Sequence, residues 1–341
     1  MDTRSVGRRT GLALMCAAVA DIGLSALPPG ASAQTKRYRF GYDQPHSTGY
    51  GIAGDMFDAK LRELSHGAMA IDQFPNAQLG QEPQMLQLVK SGDIDFIITS
   101  TANAATVSPE SGVLSLHYLF RNDAQLARAI ADPAMVKAVR TMFDDTVKGA
   151  KVLAMATLGL REMYGTKEIH GVADLKGVKI RVQATATEDT LFAAYGAQTV
   201  HMPFGSVYTS LQTGVVQLAE NGINVYLENK HYEVGPVLSL TNHEANNSVI
   251  WVSDKLWDSL TGEQKGWVQA AADEVGQKQP ALAMALNLKS LEKLRSIGIK
   301  VVDKVDVSGM IKIADPIEDE IAAKLGPHAV EILKIARSIP Q

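Results

Sequence analysis

The segment Ala70–Thr101, AIDQFPNAQLGQEPQMLQLVKSGDIDFIITST, carries the alternation that decides the fold. Ala70 to Phe74 reads as a strand, ended by Pro75-Asn76. Gln84 to Lys90 sets Met85, Leu88 and Val89 at helical spacing, and Gly92 supplies the stop. Ile94 to Thr99 is a near-continuous apolar run, the pattern of a strand covered on both faces. Upstream, Tyr38 to Tyr42 predicts another strand, and Ile52, Met56, Leu61 and Leu64 mark a helix that stops at Gly67. This β-α-β-α-β order implies a mostly parallel sheet flanked by helices.

After Lys151–Met155 the pattern begins again. Strands are expected at Val178–Val182, Thr199–Met202 and Val216–Ala219, and helices at Thr187–Tyr195, Ser206–Gln212 and Val225–Tyr232. Two successive α/β units suggest two lobes, each with its own core. Thr261 to Ile297 is one unusually long helical tract, with Glu263 near its start and Gly298 suited to its end. Pro280 inside it predicts a kink or break. At about 1.5 Å per residue the tract reaches roughly 50 Å, long enough to lean on both lobes.

The 341 residues are 46% apolar and 21% charged, the balance of a globular protein. A net charge of −4 leaves no basic footprint for nucleic acid. The sole cysteine, Cys16, excludes a disulfide scaffold and a cysteine-based zinc site. Arg4, Arg8 and Arg9 head a short apolar run, Leu12–Ala20, followed by Pro28-Pro29-Gly30 and the small-x-small site Ala31-Ser32-Ala33. That is the layout of a secretory signal peptide over residues 1–33, too short to span a bilayer. A cysteine-free mature chain fits a bacterial periplasm, where ATP and NAD are scarce. Gly49–Gly54 accordingly reads as a loop and helix start and not as a dinucleotide fingerprint, since the loop from Tyr42 is long and holds Pro45. The histidines form neither H-x-H nor H-E-x-x-H; His243-Glu244 and His231 with Glu233 read as surface or loop residues. There is no G-x-S-x-G elbow. No cofactor, metal or catalytic constellation is implied.

Three longer segments carry a resemblance. They are Phe74–Thr101, then Asp174–Gln183 (DLKGVKIRVQ), then Gly196–Leu240 (GAQTVHMPFGSVYTSLQTGVVQLAENGINVYLENKHYEVGPVLSL) with Thr241-Asn242-His243. In order and spacing they resemble the solute-binding proteins of tripartite ATP-independent periplasmic (TRAP) transporters. The resemblance implies an α/β, two-lobe periplasmic binding protein-like fold with a hinge cleft and a long helix spanning both lobes. It implies one lobe from 34–157 plus about 246–286 and the other from 158–245 plus about 287–341. The implied role is to bind a small organic acid, close around it and deliver it to the TRAP membrane permease subunits, with no chemistry performed. Monomer is the default state. Delivery to a sensor kinase and an exported α/β enzyme are the alternative readings.

The resemblance also nominates a site. Arg181 in KIRV stands where the family's arginine pairs with the ligand carboxylate, and a planar guanidinium suits that bidentate contact; pairing with an internal acid is its competing role. Arg161 in LGLREMYGTK matches a second family arginine, with a surface position as the alternative. Phe204 matches an aromatic packed on the acid, Asn221 a hydrogen-bonding asparagine with Glu220 in support, and Tyr208 is a further candidate. From the first lobe, Asp43, His46, Glu82, Ser100 and Thr101 would read the distal end of the ligand. Departures at Pro83, Gln183 and Gly222 leave the specific acid open. The polar set Asp43, His46, Glu82 and Ser100 favours a sugar acid or hydroxy acid. A four-carbon dicarboxylate would require a second cation opposite Arg181.

Overall fold

The computed structural model describes residues 35–341; the expected signal peptide lies outside them. The first unit runs β1 (Lys36–Gly41), α1 (Gly49–Leu64), β2 (Met69–Phe74), α2 (Glu82–Ser91), β3 (Phe96–Ser100) and α3 (Thr101–Ala104). Helix α2 begins with Pro83 in its first turn and ends at Gly92 in the left-handed conformation. Strand β3 is buried at every residue because both faces are covered. Ile97 packs with Met85, Leu86 and Val89 on one side, and Phe96 and Ile98 with Phe57 and Leu61 on the other. The glycine motif Gly49–Gly54 forms the first turns of α1. Gly51 is required there by close packing, since a Cβ would fall 1.8 Å from the His46 carbonyl oxygen.

Two helices, α4 (Asp123–Ala131) and α5 (Pro133–Thr146), lead into the long strand β4 (Ala150–Gly165). The second unit follows as β5 (Lys179–Val182), α6 (Ala186–Ala194), β6 (Gln198–His201), α7 (Val207–Gln212), β7 (Leu218–Asn221) and α8 (Ile223–Glu228). A second long strand, β8 (Val237–Ser253), returns beside β4. The chain closes with α9 (Asp254–Ser259), α10 (Gly262–Ser296), β9 (Lys300–Val302), α11 (Ser308–Ala314), α12 (Glu318–Leu325) and α13 (Pro327–Ser338).

All the strands belong to one sheet, ordered β2-β1-β3-β8-β4-β7-β5-β6, with β9 also on β8. The outer pairs β1·β2, β1·β3, β5·β6 and β5·β7 are parallel, as the alternation predicts, while the central β4·β8 pair is antiparallel. Each long strand therefore serves both α/β units. The sequence reading gave each lobe its own core, but the apolar side chains divide by sheet face. One cluster joins α2, α4, α5, α6 and α13, and the other joins α1, α8 and α10. A sheet continuous through both lobes imposes this, because successive residues of each strand point to opposite faces.

Helix α10 is capped by Thr261, whose hydroxyl accepts from Gln264 N while the Gln264 side chain accepts from Thr261 N. It continues unbroken through Pro280, where a break was one expected outcome. Its buried amides Gln279 and Asn287 hold the irregular middle of β4. Gln279 Nε2 donates to the carbonyls of Thr157 (2.7 Å) and Gly49 (3.0 Å), and Asn287 Nδ2 donates to that of Leu158 (2.9 Å). The β4 bulge between Thr157 and Leu160 removes the Thr157 and Leu158 carbonyls from the ladder, so a buried donor must satisfy them. Gly159 sits in this bulge at φ +91°, and a Cβ there would fall 2.1 Å from Asn287 Nδ2. No helix among the described residues is long and apolar enough to cross a membrane.

Candidate functional site

Between the two sets of strand ends lies a small polar cavity. Asp43 and Gln44 follow β1, Ser100 ends β3, Arg181 and Gln183 lie at the end of β5, and Asn221 ends β7. The carboxyl ends of strands are where open α/β sheets expose a crevice. Leu158, Arg161 and Asn246 complete the wall from the middle of β4 and β8, with Tyr50, Glu82, Asn103 and Phe204. Contacts between the two units close it over: Gln183 Nε2 donates to Ser100 Oγ (2.6 Å), Asn229 Nδ2 to Gln44 Oε1 (3.2 Å) and Gly205 N to Gln81 Oε1 (3.2 Å).

The two arginines of this wall are both almost wholly buried, yet differently partnered. Arg161 forms a bidentate pair with the Glu220 carboxylate, its Nη2 lying 2.6 Å from Oε1, and donates to the Glu220 carbonyl at 3.0 Å. Glu244, its antiparallel partner in β8, adds a second carboxylate at 3.2 Å. Burial opposes the charge on Arg161, but Glu220 and Glu244 outweigh it and hold its pKa above the ordinary value. Arg181 donates only to the Met202 carbonyl, at 3.0 and 3.3 Å, and lies 5.7 Å from the centre of the Phe204 ring. Among the described residues no carboxylate pairs with it. Burial pushes its pKa down. His231, behind Phe204, is pushed down to about 3, mostly by burial and then by Arg181, so that it stays neutral beside the guanidinium.

The opposite wall is acidic and polar. Glu82 accepts from Ser100 N and Oγ, Asn103 Nδ2 and Tyr50 OH, which makes it the organiser of that wall. Asp43 accepts only from Gln44 Nε2. Burial, then repulsion from Glu82, raises its pKa well above the usual carboxylate range. Asn221 Oδ1 accepts from Asn246 Nδ2 (2.7 Å) and Gly222 N (2.8 Å), which leaves its own amide donors free of protein partners.

Of the ten residues nominated from sequence, Arg181, Arg161, Asn221, Phe204, Glu82, Ser100 and Asp43 line this cavity. The other three lie elsewhere. Tyr208 is on the outer side of α7 and donates to Glu233 at 2.9 Å. His46 is exposed and pairs with Asp55 of α1 at 3.0 Å. Thr101 is buried, but its hydroxyl donates to the Asn247 carbonyl of β8. Sequence reading passed over Gln44, Tyr50, Asn103, Leu158, Gln183 and Asn246. Two of them stood in segments that had already drawn notice: Tyr50 in the glycine motif and Gln183 as a departure from the family pattern. His231, His243 and Glu244 are buried and not at the surface: His243 and Glu244 because β8 is covered on both faces, and His231 because it packs against Tyr164 and Phe204.

A two-lobed α/β chain whose lobes shut over a small polar cavity with a buried, carboxylate-free guanidinium has the build of a solute-binding protein. Residues 40–325 match the family described as bacterial extracellular solute-binding protein, family 7, and the chain belongs to that family. It is 28% identical over 313 residues to the 2,3-diketo-L-gulonate-binding periplasmic protein YiaO of Escherichia coli K12, covering 92% of this chain and 94% of that one. A TRAP periplasmic solute-binding protein from Xanthobacter autotrophicus Py2, solved with β-D-galacturonate, superimposes with a TM-score of 0.82 at 29% identity, covering 89% of this chain and 100% of that chain. The sugar acid binding protein of Advenella mimigardefordensis, solved with galactonate, gives 0.83 at 28% identity over 90% of this chain and 99% of that one. The chain is thus a transport solute-binding protein of the two-lobe TRAP type and not an enzyme. Proteins of this class bind small organic acids and work with membrane permease components.

Proposed function

We propose that this protein binds a monocarboxylate sugar acid in the periplasm, as a monomer released from its signal peptide, and delivers it to a TRAP permease. The observation that carries the reading is Arg181. A buried guanidinium without a counter-ion is costly, and a ligand carboxylate is the group that relieves the cost with two parallel hydrogen bonds. Phe204 packs beside it, and Asn221 supplies a neighbouring donor. Asp43, Gln44, Tyr50, Asn103 and Gln183 offer donors and acceptors for the hydroxyls of a sugar chain. Arg161 is a positioning residue, because its carboxylate partners come from the protein itself.

With Arg161 committed, no second cation lines the cavity to take the far end of a four-carbon dicarboxylate. The relatives solved with galacturonate and galactonate support the polyhydroxy acid over that alternative. Lobes of 34–157 with 246–286 and of 158–245 with 287–341 would then hinge at the irregular middle of β4 and β8. The ligand drives closure by touching both lobes only in the closed form.

Thermal denaturation with galacturonate, glucuronate and galactonate, against galactose and succinate, tests this. A ligand at 100 times its dissociation constant adds about 2.7 kcal/mol, so one or more sugar acids should raise the midpoint while galactose does not. Arg181→Ala should abolish that shift. Equal stabilisation of Arg181→Ala, or stabilisation by galactose alone, would overturn the reading.

A further inference from the structure

Beside Arg161 lies a second polar cluster that solute binding does not use. His117 follows the turn at residues 109–115, His243 and Glu244 are successive residues of β8, and Glu188 is on α6. All four are buried, and none lines the cavity. Successive strand residues normally point to opposite faces. Here the β4·β8 register shifts between Arg161 and Met163, with Asn242 at φ +44°, and the irregularity aims His243 and Glu244 at one spot. Potential donor atoms of His117, His243 and Glu244 lie within 4.8 Å of one another. Glu188 Oε2 approaches His117 Nε2 at 3.5 Å.

Each imidazole is held by its other nitrogen. His117 Nδ1 is 3.1 Å from the Tyr195 hydroxyl, and His243 Nδ1 is 2.8 Å from the Thr241 hydroxyl. That is how a metal-ligating histidine is oriented from behind. Both Nε2 atoms and both Glu188 oxygens are buried without a hydrogen-bond partner among the described residues, and Glu244 Oε2 meets only the Arg161 guanidinium, at 3.2 Å. Native interiors seldom leave so many polar atoms unmet in one place. The cluster also gathers three buried carboxyl groups, those of Glu188, Glu220 and Glu244, around the Arg161 guanidinium.

We propose that His117, His243, Glu244 and Glu188 form a structural site for a divalent transition metal of the zinc class. Two nitrogens and two carboxylate oxygens suit a tetrahedral ion with bonds of about 2.0–2.1 Å. Such an ion holds its donors about 3.4 Å apart, so the cluster needs to draw in by about an ångström. It ties α6 to β8 and to the chain after residue 115, and it fixes Glu244 and Glu220 against Arg161.

The test uses untagged full-length mature protein, stripped with a chelator and desalted, then loaded with Co²⁺ or Zn²⁺ either natively or by refolding from guanidinium. The expected results are one metal per chain by elemental analysis after dialysis, the intense visible absorption of tetrahedral Co²⁺, and a raised thermal midpoint. Tyr195→Phe, which loosens His117, should weaken Co²⁺ binding about 10–100-fold, and Glu188→Gln should remove the tetrahedral spectrum. His201→Ala, at the exposed His201–Asp189 pair, should leave both unchanged. Wild-type protein that holds no stoichiometric metal by either loading route overturns the proposal, and the cluster then balances its charge with shared protons. Metal held equally by Glu188→Gln and Tyr195→Phe overturns it as well, by locating the ion elsewhere.

Discussion

Arg161 and Arg181 stand in the wall of one cavity with 1% and 2% of their surface exposed, and their surroundings are opposite. Around Arg161, in the middle of β4, two carboxylates and a carbonyl saturate the guanidinium. Around Arg181, at the end of β5, the protein offers a carbonyl and an aromatic ring. The same side chain, equally buried, is part of the framework in one place and an incomplete pair in the other. The difference is whether the compensating charge is supplied within the chain or left to a ligand.

The largest expected effect breaks the framework side. Arg161→Met leaves Glu220 and Glu244 buried without their cation, so unfolding stability should fall by about 3–5 kcal/mol, read by urea denaturation of ligand-free protein. Arg181→Met strands no carboxylate partner and should leave that stability within about 1 kcal/mol of wild type, while solute affinity falls by two or more orders of magnitude. Equal destabilisation by the two substitutions would erase the distinction between them.

How much of this contrast was legible in sequence follows from where the partners lie. Arg181 was nominated by the resemblance that its own contiguous motif, KIRV, carries. The partners of Arg161 were not legible, because Glu220 and Glu244 stand 59 and 83 residues further along and meet it only through β7 and β8. Sequence reading considered an internal acid for Arg181 and a surface position for Arg161, and the structure gives the internal acids to Arg161. The local elements α2 and β3 and the long helix α10 were legible, since periodicity and stop signals act within a few residues. Strand β8 was not read as a strand at all: its 17 residues include His243, Glu244, Asn246 and Asn247, polar groups that local propensity reads as loop and tertiary partners convert to core. The same residues hide the division of the core by sheet face, and with it the buried histidines.

A smaller effect sharpens the framework side further. Glu162, next to Arg161 on β4, turns away from it and accepts from Asn242 N at 2.8 Å. Burial above all pushes its carboxyl up to about 8; the nearby Asp123 raises it further, while hydrogen bonds from Asn242 and Thr241 pull it back. A carboxyl whose pKa is raised on folding binds its proton more tightly in the native state. The stability it lends is full below its ordinary pKa near 4.5 and is lost as pH rises toward 8. Buried His117 and His231, pushed down to about 4 and 3, act in the other direction, losing stability only as pH falls below about 6.5. Between pH 6.5 and 8 the histidines are therefore silent, and Glu162→Gln should flatten the decline of stability with pH by up to about 1.4 kcal/mol per unit. An unchanged slope would mean that Glu162 is ionised in the folded protein.

The smallest effects fall on the residues that resemblance nominated and geometry did not bring to the cavity. Tyr208 spends its hydroxyl on Glu233, and His46 its imidazole on Asp55, both in contact with solvent. Exposed pairs of this kind contribute little, and neither side chain lines the space around Arg181. Tyr208→Phe and His46→Ala should each leave the solute dissociation constant within about twofold of wild type, measured by calorimetry on the sugar acid that stabilises the native protein. A tenfold loss in either would place that side chain in the open form of the cleft, where the ligand first arrives, and would extend the binding surface beyond the wall that closes around Arg181.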